Sequence, residues 1–217
     1  MIDLIKARVY LSMMRRKFPT CVIHRGVSIS EDSVLNEHVS LFSSVHVLSS
    51  QIGRFTYIQS SSEIIATDVG PFCSISKNVL VGAPEHPTNE VSTNPVFYDA
   101  SQPLPLFLTS RKLIDSTSSR TSIGADTWVG ANCVIRSGVS IGVGAVIGAS
   151  SVITKDVEPY SIVVGTPGRE VGKRFNPDVI SQLLSSRWWD FDESILLRLS
   201  PYFSAPEEFL TQLKALK

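Results

Sequence analysis

The chain reads IGADTWVGANCVIRSGVSIGVGAVIGASSVITKDVE from Ile123 to Glu158, with a bulky aliphatic residue at every sixth position. This spacing fits neither the period of about 3.6 residues of a helix nor the two-residue alternation of an ordinary strand. We therefore interpret each six-residue unit as one short strand followed by a turn. Glycine follows the aliphatic residue in four of the six units, which predicts that glycine forms the tight corner between strands. The aliphatic positions are Ile123, Val129, Ile135, Ile141, Ile147 and Ile153.

The same spacing extends, less regularly, through the N-terminal half of the chain. Two of its steps are only five residues long, from Val47 to Ile52 and from Ile64 to Val69. A unit that lacks one turn residue still closes a corner, so we interpret the whole array as one solenoid and not as two domains. Its interior is expected to hold one bulky and one small side chain per unit. The earlier aliphatic positions are Ile29, Leu35, Leu41, Val47, Ile52, Ile58, Ile64, Val69, Ile75 and Val81.

The composition excludes several classes of protein. The 217 residues carry 20 cationic and 20 acidic side chains, so the chain as a whole has no bulk attraction for nucleic acid or for an anionic membrane. No apolar stretch approaches the roughly 18 residues that span a bilayer, and the first twenty residues interleave charges with apolar positions, unlike a signal peptide. We expect a cytoplasmic protein. The three cysteines, Cys21, Cys73 and Cys133, are expected to be reduced core thiols.

The N-terminal segment, residues 1–20, is expected to form a small helix, for which two roles are open. An open solenoid end exposes apolar side chains, so the helix is expected to cap that end. The alternative is a basic amphipathic helix that lies on a membrane surface. This alternative depends on the apolar residues Ile2, Ile5, Val9, Leu11 and Met13 and on the basic residues Lys6, Arg8, Arg15, Arg16 and Lys17.

The repeat is interrupted once, from residue 82 to about residue 121. A long segment without its own secondary-structure signal is uncommon in a compact domain unless it is functional, so we expect this excursion loop to carry chemistry. It contains His86, flanked by Pro84 and Pro87, which restrict the backbone around the imidazole. Imidazole changes charge near neutral pH, so His86 is a candidate general base. The other histidines, His24, His38 and His46, are expected to be ordinary solvated side chains.

Several segments together resemble the hexapeptide-repeat acetyltransferases, over about residues 25–200. They are VGPFCSISKNV, HPTNEVSTNPVF, DTWVGANCVIRSGVSIGVGAVIGASSVITKDV and VVGTPGR. The tail RFNPDVISQLLSSRWWDFDESILL resembles the helical C-terminus of the xenobiotic acetyltransferase branch, and the loop is also similar to that of bacterial sugar O-acetyltransferases.

The resemblance implies a fold and an assembly. The fold is an all-β solenoid, a left-handed parallel β-helix of hexapeptide repeats with a long excursion loop and a small α-helical C-terminal cap. It assigns the β-helix to residues 21–175 and the helical extension to residues 176–217, which includes the paired Trp188 and Trp189. It also implies a homotrimer that binds acetyl-coenzyme A between neighbouring subunits.

The resemblance also implies roles for individual residues. His86 corresponds to the family's general base, which takes the proton of an acceptor hydroxyl, and the backbone N–H of Ala131 corresponds to the oxyanion donor. The residues that correspond to the family's coenzyme contacts are Trp128, Ala131, Ala149, Thr154, Lys155 and Arg169, with Lys173 and Arg174 as further positive charges near the phosphates. For Trp128 the alternative is packing against the neighbouring subunit.

The acceptor and the group that orients His86 remain open at this stage. Asn89, Asn94 and Tyr98 are candidate acceptor contacts in the loop. The resemblance favours O-acetylation of a saccharide of a surface polysaccharide or the cell envelope, and the alternative is a xenobiotic of the chloramphenicol or streptogramin type. The candidates for holding the imidazole are Glu85, Glu90, Asp99 or a backbone carbonyl.

The sequence disfavours two other classes of function, a zinc hydratase and a scaffold without catalysis. A zinc hydratase on the same solenoid needs three imidazoles around one metal, and the spacing of the four histidines offers no such cluster, so no metal is expected. A scaffold without catalysis would have little need for a histidine in a long loop or for basic residues after the array.

Overall fold

The computed structural model describes residues 2–83, 85–110 and 119–215. Side chains are described for all of these except residues 2–5 and 7, so Ile2 and Ile5 of the predicted amphipathic face lie outside the description. The chain winds through about seven turns of a β-solenoid, with small helices at the C-terminal end, as predicted. The left-handed sense of the winding stays a prediction.

Three sheets form the three sides of the solenoid, and successive strands fall on successive sheets. The first sheet contains β1 Val22–Ile23, β4 Ser40–Leu41, β7 Tyr57–Ile58, β10 Ser74–Ile75, β13 Trp128–Val129, β16 Val146–Ile147, β18 Ser161–Val164 and β19 Arg169–Lys173. The second contains β2 Ser28–Ile29, β5 His46–Leu48, β8 Glu63–Ile65, β11 Leu80–Ala83, β14 Val134–Arg136 and β17 Val152–Ile153. The third contains β3 Val34–Leu35, β6 Gln51–Ile52, β9 Thr67–Val69, β12 Thr121–Ile123 and β15 Ser140–Ile141.

The interior is the column of aliphatic side chains that the six-residue spacing predicts. All sixteen predicted positions are buried, with at most 6% of the side chain exposed. The column continues across the excursion, because Ile75 pairs directly with Val129 on the next coil. Cys73 and Cys133 are buried free thiols inside it, as predicted, and burial raises the pKa of Cys73 to about 12.

The corners differ from the prediction that glycine makes the turn. The left-handed conformation falls two residues later in the unit, at Asp126 with φ 57° and Asn132 with φ 60°. The glycines are needed because the coils stack closely. A Cβ on Gly124 would lie 2.5 Å from the backbone nitrogen of Val143, and Gly130 meets the next coil at the same distance. The glycine that follows the aliphatic residue therefore sets the spacing between coils, whereas Gly138 and Gly144, two residues later in their units, take the left-handed turn position with φ 75° and 68°.

Helix α1, Ile2–Lys17, occupies the predicted N-terminal segment, and its Leu11 and Met14 pack against the aliphatic core. The hydroxyl of Tyr10 accepts a hydrogen bond from the Ile29 N–H at 2.7 Å and donates to the Ile29 carbonyl at 3.1 Å. The guanidinium of Arg15 donates to the carbonyl of Ile23 at 2.8 Å. These bonds occupy backbone groups that the first coil would otherwise leave unpaired.

The C-terminal helices pack along one side of the solenoid. They are α2 Pro177–Ser186, α3 Glu193–Leu199 and α4 Pro206–Ala215, with short 3₁₀ turns at Trp188–Asp190 and Ser200–Tyr202. Trp188 is 7% exposed and Trp189 8% exposed, so both indoles are buried. Their position is lateral, because the Arg54 guanidinium on an early coil donates to the Trp189 carbonyl at 3.1 Å. Within the described residues, no helix could span a membrane.

This lateral contact follows the corner between the third and first sheets, which we call the packing corner. The rings of His38, Phe55 and Phe72 stack there from coil to coil, with centroids 4.7 and 5.2 Å apart. Trp188 extends the stack, 5.3 Å from Phe72. The Arg54 guanidinium lies 5.5 Å from the Phe72 centroid. The helices therefore join several coils and do not cover only the last one.

The excursion leaves from the corner between the second and third sheets, which we call the loop corner. It runs from the end of β11 at Ala83 to the start of β12 at Thr121. Both ends are fastened to one segment of the next coil: Ser137 N–H donates to the Ala83 carbonyl at 3.2 Å, and Gly138 N–H to the Thr121 hydroxyl at 3.1 Å. The two five-residue steps of the repeat fall at this same corner.

Candidate active site

His86 lies just after the loop leaves the loop corner, and its imidazole is held at one nitrogen. Nδ1 lies 2.8 Å from the Thr93 carbonyl oxygen and 2.9 Å from the Tyr98 hydroxyl. A carbonyl only accepts hydrogen bonds, so Nδ1 carries the proton and Nε2 keeps its lone pair. The His86 residue as a whole is exposed. Pro84, the predicted restraint beside His86, lies outside the described residues.

Tyr98 supports the imidazole from behind and does not line the open side of the loop. Its side chain is only 5% exposed. Burial, followed by the charges of Asp99 and Glu90, raises the pKa of Tyr98, so the phenol stays protonated. Asp99 is buried and accepts hydrogen bonds from the Ser101 N–H at 3.0 Å and from a loop glutamine. Asp99 thus stabilises the turn that carries Tyr98.

These contacts answer the question of what orients His86. Of the four candidates, the backbone carbonyl fills the role, supplied by Thr93. Glu85 instead pairs with Arg136 of β14, with Nε and Oε1 3.0 Å apart. Sequence reasoning missed both Thr93 and Arg136. The sequence does contain a signal for Arg136. It occupies the second position of the unit IRSGVS, and four of the six units have glycine at that position.

The two asparagines of the loop differ in their surroundings. Asn94 caps the 3₁₀ turn of the loop at Pro95–Phe97, where its side-chain oxygen accepts a hydrogen bond from the Val96 N–H at 3.0 Å. Among the residues that the structure describes, no hydrogen bond involves the side-chain amide nitrogen of Asn94, and both Asn94 and Asn89 are exposed. The same loop also exposes large apolar side chains, which are Val91, Phe97, Leu104, Leu106 and Leu108.

Ala131 and Ala149 stack on successive coils at the corner between the first and second sheets. The Ala131 carbonyl accepts the N–H of Ser150 at 2.8 Å, while within the described residues its own N–H has no hydrogen-bond partner. A Cβ on Gly130 would lie 2.5 Å from the nitrogen of Ala149. The close stacking therefore holds the backbone here rigidly and leaves one N–H free to bind an anion.

Trp128 lies on β13 and points outward from the first sheet, with 53% of its side chain exposed. Ser74 and Val146 are its neighbours on the adjacent strands. A single chain therefore offers the indole as an open surface, and both roles considered for it stay predictions.

The four cations predicted near the phosphates divide into two pairs. Lys155 and Arg169 are exposed, and neither forms an ion pair with a carboxylate in the described part of the chain. Lys173 instead lies 3.3 Å from Glu170 and donates to a serine hydroxyl at 2.8 Å.

Arg174 is committed to the interface with the C-terminal helices. Its guanidinium lies 2.8 Å from Asp126 and stacks 5.4 Å from the ring of Tyr160. Lys173 and Arg174 therefore have carboxylate partners within this chain, and their contact with the phosphates stays a prediction.

The structure distributes the predicted residues over two corners of one chain. His86 belongs to the loop corner, and Ala131 with Ala149 to the corner between the first and second sheets. Thr154 follows β17 and lies level with Arg136, because Ile135 pairs with Ile153. Thr154 is thus close to the base of the excursion, on the side where His86 emerges.

Two of the three remaining histidines have local partners, and the third, His46, is exposed on β5. His24 stacks on Phe42 at 5.0 Å between centroids, and His38 stacks on Phe55 and lies 3.3 Å from Glu193. In the ranges that the structure describes, no three His, Cys, Asp or Glu side chains are gathered as metal ligands would be.

Comparisons with known proteins agree with the repeat and with the fold. The family described as bacterial transferase hexapeptide (six repeats) matches residues 120–155. A chloramphenicol acetyltransferase from Escherichia coli is 37% identical over 139 residues, which cover 62% of this chain and 64% of that protein. A probable macrolide acetyltransferase from Lysinibacillus sphaericus is 34% identical over 131 residues, covering 57% of this chain and 68% of that protein.

Among solved structures, a mutant of AntD, an N-acyltransferase from Bacillus cereus, superposes with a TM-score of 0.52. The match covers 81% of this chain and 96% of that one at 16% identity, and it supports the fold alone. The chain spans 59 to 64% of the length of three chloramphenicol acetyltransferases that it matches. The repeat, the solenoid and the identity with the macrolide acetyltransferase show that this chain belongs to the hexapeptide-repeat acetyltransferase family.

Proposed function

We propose that the protein transfers an acetyl group from acetyl-coenzyme A to a hydroxyl of a small organic molecule, with His86 as the general base. The observation that carries this proposal is the hydrogen bond from His86 Nδ1 to the Thr93 carbonyl. It fixes the tautomer that a base needs, because a neutral imidazole that is protonated at Nδ1 keeps the lone pair of Nε2 free. A second, buried contact to Tyr98 restrains the ring.

The reaction follows from this geometry. His86 Nε2 takes the proton of the acceptor hydroxyl while that oxygen attacks the thioester carbonyl carbon. The resulting tetrahedral oxyanion then expels the coenzyme A thiolate, and the imidazolium returns the proton to the sulfur. The products are an acetyl ester and free coenzyme A thiol. General-base catalysis of this kind supplies on the order of 10²- to 10⁴-fold in rate.

The oxyanion needs a donor, and we assign this role to the free N–H of Ala131. Because His86 and Ala131 belong to different corners of one chain, the complete site would combine the loop corner of one subunit with the alanine corner of its neighbour. A homotrimer supplies three such junctions. Residues 21–175 would then carry every reacting group, and the C-terminal helices would support them.

Acetyl-coenzyme A would bind along the corner of Ala131 and Ala149. Ala149 is exposed and Ala131 is half-buried, and their backbone groups suit the amide groups of the pantetheine arm. Thr154 lies on the neighbouring corner toward the base of the excursion. Of the four cations predicted near the phosphates, Lys155 and Arg169 have no carboxylate partner among the described residues, and these two would contact the phosphates. The outward indole of Trp128 would line the acyl channel. Acetyl-coenzyme A is consumed as a substrate, and the chemistry assigned to these residues calls for no metal.

For the acceptor, two observations favour a hydroxylated antibiotic over a saccharide. Relatives that match more than half of this chain are named for chloramphenicol and macrolides. The loop also exposes Phe97, Leu106 and Leu108, which suit a molecule with a large apolar body better than a free sugar. A saccharide hydroxyl is the second candidate, since Asn89 and the free amide of Asn94 would bind sugar hydroxyls.

The test is release of coenzyme A thiol from acetyl-coenzyme A in the presence of a panel of acceptors. The panel contains chloramphenicol, a macrolide, a streptogramin and a set of nucleotide-linked and free sugars, and mass spectrometry detects the added acetyl group. We expect turnover with an antibiotic. Turnover with sugars alone would replace the antibiotic by the saccharide, and an absence of both turnover and coenzyme A binding would overturn the proposal.

A further inference from the structure

Helix α1 has an inner face whose contacts fix the rotation of the helix. The hydrogen bonds of Tyr10 and Arg15 attach it to the first coil. Leu11 and Met14 pack against the aliphatic core, and Phe18, just after the helix, is buried there. The opposite face must therefore point away from the solenoid, beyond its N-terminal end.

That outward face carries both positive charge and apolar surface. Lys6, Val9, Met13 and Arg16 follow one another at spacings of three and four residues, so they share one stripe. Val9 is 54% exposed and Met13 57% exposed, although both could have been polar without disturbing the inner contacts. The stripe is thus apolar at its centre and basic at both ends.

The helix is also the most charge-biased segment of a neutral chain. It contains five cationic side chains and one acidic side chain, whereas the whole protein has a net charge of zero. Lys6, Arg8, Arg16 and Lys17 are exposed, and in the described part of the chain none of them pairs with a carboxylate. The rest of the molecule therefore has a net negative charge, which would turn the α1 end toward an anionic surface.

We propose that the outward face of α1 docks the protein on an anionic lipid bilayer. The four exposed cations would contact the headgroups, and Val9 and Met13 would enter the boundary between headgroups and acyl chains. The same charges could attract nucleic acid, but a phosphodiester backbone has no use for the apolar centre of the stripe. The capping role and the membrane role are compatible, because they use opposite faces of one helix.

The experiment measures binding of the full-length protein to vesicles by co-sedimentation. Phosphatidylcholine vesicles are compared with vesicles that also contain phosphatidylglycerol, at low and at high salt. The test variant carries Lys6→Gln, Arg8→Gln, Arg16→Gln and Lys17→Gln. The matched control replaces four exposed cations elsewhere, Lys77→Gln, Arg187→Gln, Arg198→Gln and Lys214→Gln, which keeps the change in net charge equal.

We expect the wild type to bind the anionic vesicles only, and less at high salt because salt screens exposed charges. Each neutralised cation should weaken binding about 5-fold, so the test variant should lose at least about 100-fold and the control should remain within a few-fold. A third variant, Val9→Ser with Met13→Ser, should weaken binding with no change in charge.

Three results would overturn the inference: no binding to the anionic vesicles, equal loss in the test and control variants, or tighter binding to duplex DNA than to the vesicles. Acetyl transfer to a dissolved acceptor should be the same in the wild type and the test variant. Failure of membrane binding would therefore leave the proposed activity untouched, and the two can be judged separately.

Discussion

The loop corner and the packing corner are built from the same repeat but hold opposite kinds of residue. At the packing corner the left-handed positions include His38, Phe55 and Phe72, whose rings stack and receive the C-terminal helices. At the loop corner the corresponding positions are small, Ser49 and Ala66, and the chain there departs into the excursion. The interior column fixes the path of the chain. The outward side chains at the corners can therefore differ from one corner to another without changing the fold.

The same residue types therefore have different tasks at different places. His38 is stacked at the packing corner, whereas His86 presents a free nitrogen at the loop corner. Tryptophan, tyrosine, lysine and aspartate likewise each occur at two places with different surroundings. Each pair allows one substitution to be measured against a matched control of the same chemistry.

The largest effect is expected for the tryptophans. Trp188→Ala removes a buried ring from the packing corner and should lower the free energy of unfolding by about 3–5 kcal/mol. Trp128→Ala removes an exposed ring and should cost less than about 1 kcal/mol. Chemical denaturation of both variants measures the difference. A cost at Trp128 as large as that at Trp188 would contradict its place in the acyl channel and favour packing between subunits.

The tyrosines test the support of the base. Tyr98→Phe removes the hydroxyl that contacts His86 and should lower kcat about 10-fold, close to the value of one hydrogen bond, with the unfolding midpoint little changed. Tyr160 has a buried hydroxyl that, within the described residues, has no hydrogen-bond partner. Tyr160→Phe should therefore leave kcat unchanged and keep or raise stability. Equal kcat values for Tyr98→Phe and the wild type would show that the Thr93 carbonyl alone positions the imidazole.

The cations test the coenzyme groove. Lys155→Gln and Arg169→Gln should each raise KM for acetyl-coenzyme A about 5-fold with little change in kcat, because a remote phosphate is bound equally in the ground and transition states. Lys173→Gln is the control, since Lys173 is paired with Glu170. Steady-state kinetics with varied acetyl-coenzyme A gives the comparison. Similar KM values in all three variants would contradict the assignment of Lys155 and Arg169 to the phosphate site.

The smallest effects are expected for two aspartates whose pKa values shift in opposite directions. Hydrogen bonding to Arg120, 2.9 Å away, lowers the pKa of Asp68, which lies on β9 of the third sheet. Burial raises the pKa of Asp126 at the packing corner, although its partner Arg174 opposes the shift. A carboxyl titration followed by NMR should find Asp68 below and Asp126 above the ordinary value.

The two shifts have opposite consequences for stability. The contribution of Asp68 is present above its unfolded-state pKa and is lost as the pH falls through its lowered folded-state pKa. The contribution of Asp126 is present below its unfolded-state pKa and is lost as the pH rises through its raised folded-state pKa. Arg120→Gln should therefore remove a small acid-sensitive part of the unfolding free energy, and an unchanged pH profile would contradict this assignment.

Much of the fold follows from the sequence because the repeat has a period. Sixteen aliphatic positions were predicted to be interior and all are buried, and the excursion was expected to begin within two residues of Ala83. The glycine positions were also recognised, but their reason was not: the spacing shows that glycine recurs, and only the stacked coils show that Gly124 has no room for a Cβ.

The candidate site was less predictable, because its contacts join residues that no period connects. His86 could be singled out, but the Thr93 carbonyl that fixes its tautomer is a backbone group without a sequence signal. In the sequence, Lys173 and Arg174 cannot be told apart from Lys155 and Arg169. Only the structure shows that Lys173 is paired with Glu170 and Arg174 with Asp126, whereas the other two cations remain available for a ligand.

The most direct test of the account compares His86→Ala with His38→Ala in the thiol-release assay, with oligomeric state and unfolding midpoint measured on the same samples. We expect His86→Ala to lower kcat by about 10²- to 10⁴-fold with its fold intact, and His38→Ala to retain kcat while losing some stability from the ring stack at the packing corner. Retained turnover in His86→Ala would contradict the assignment of chemistry to the loop corner.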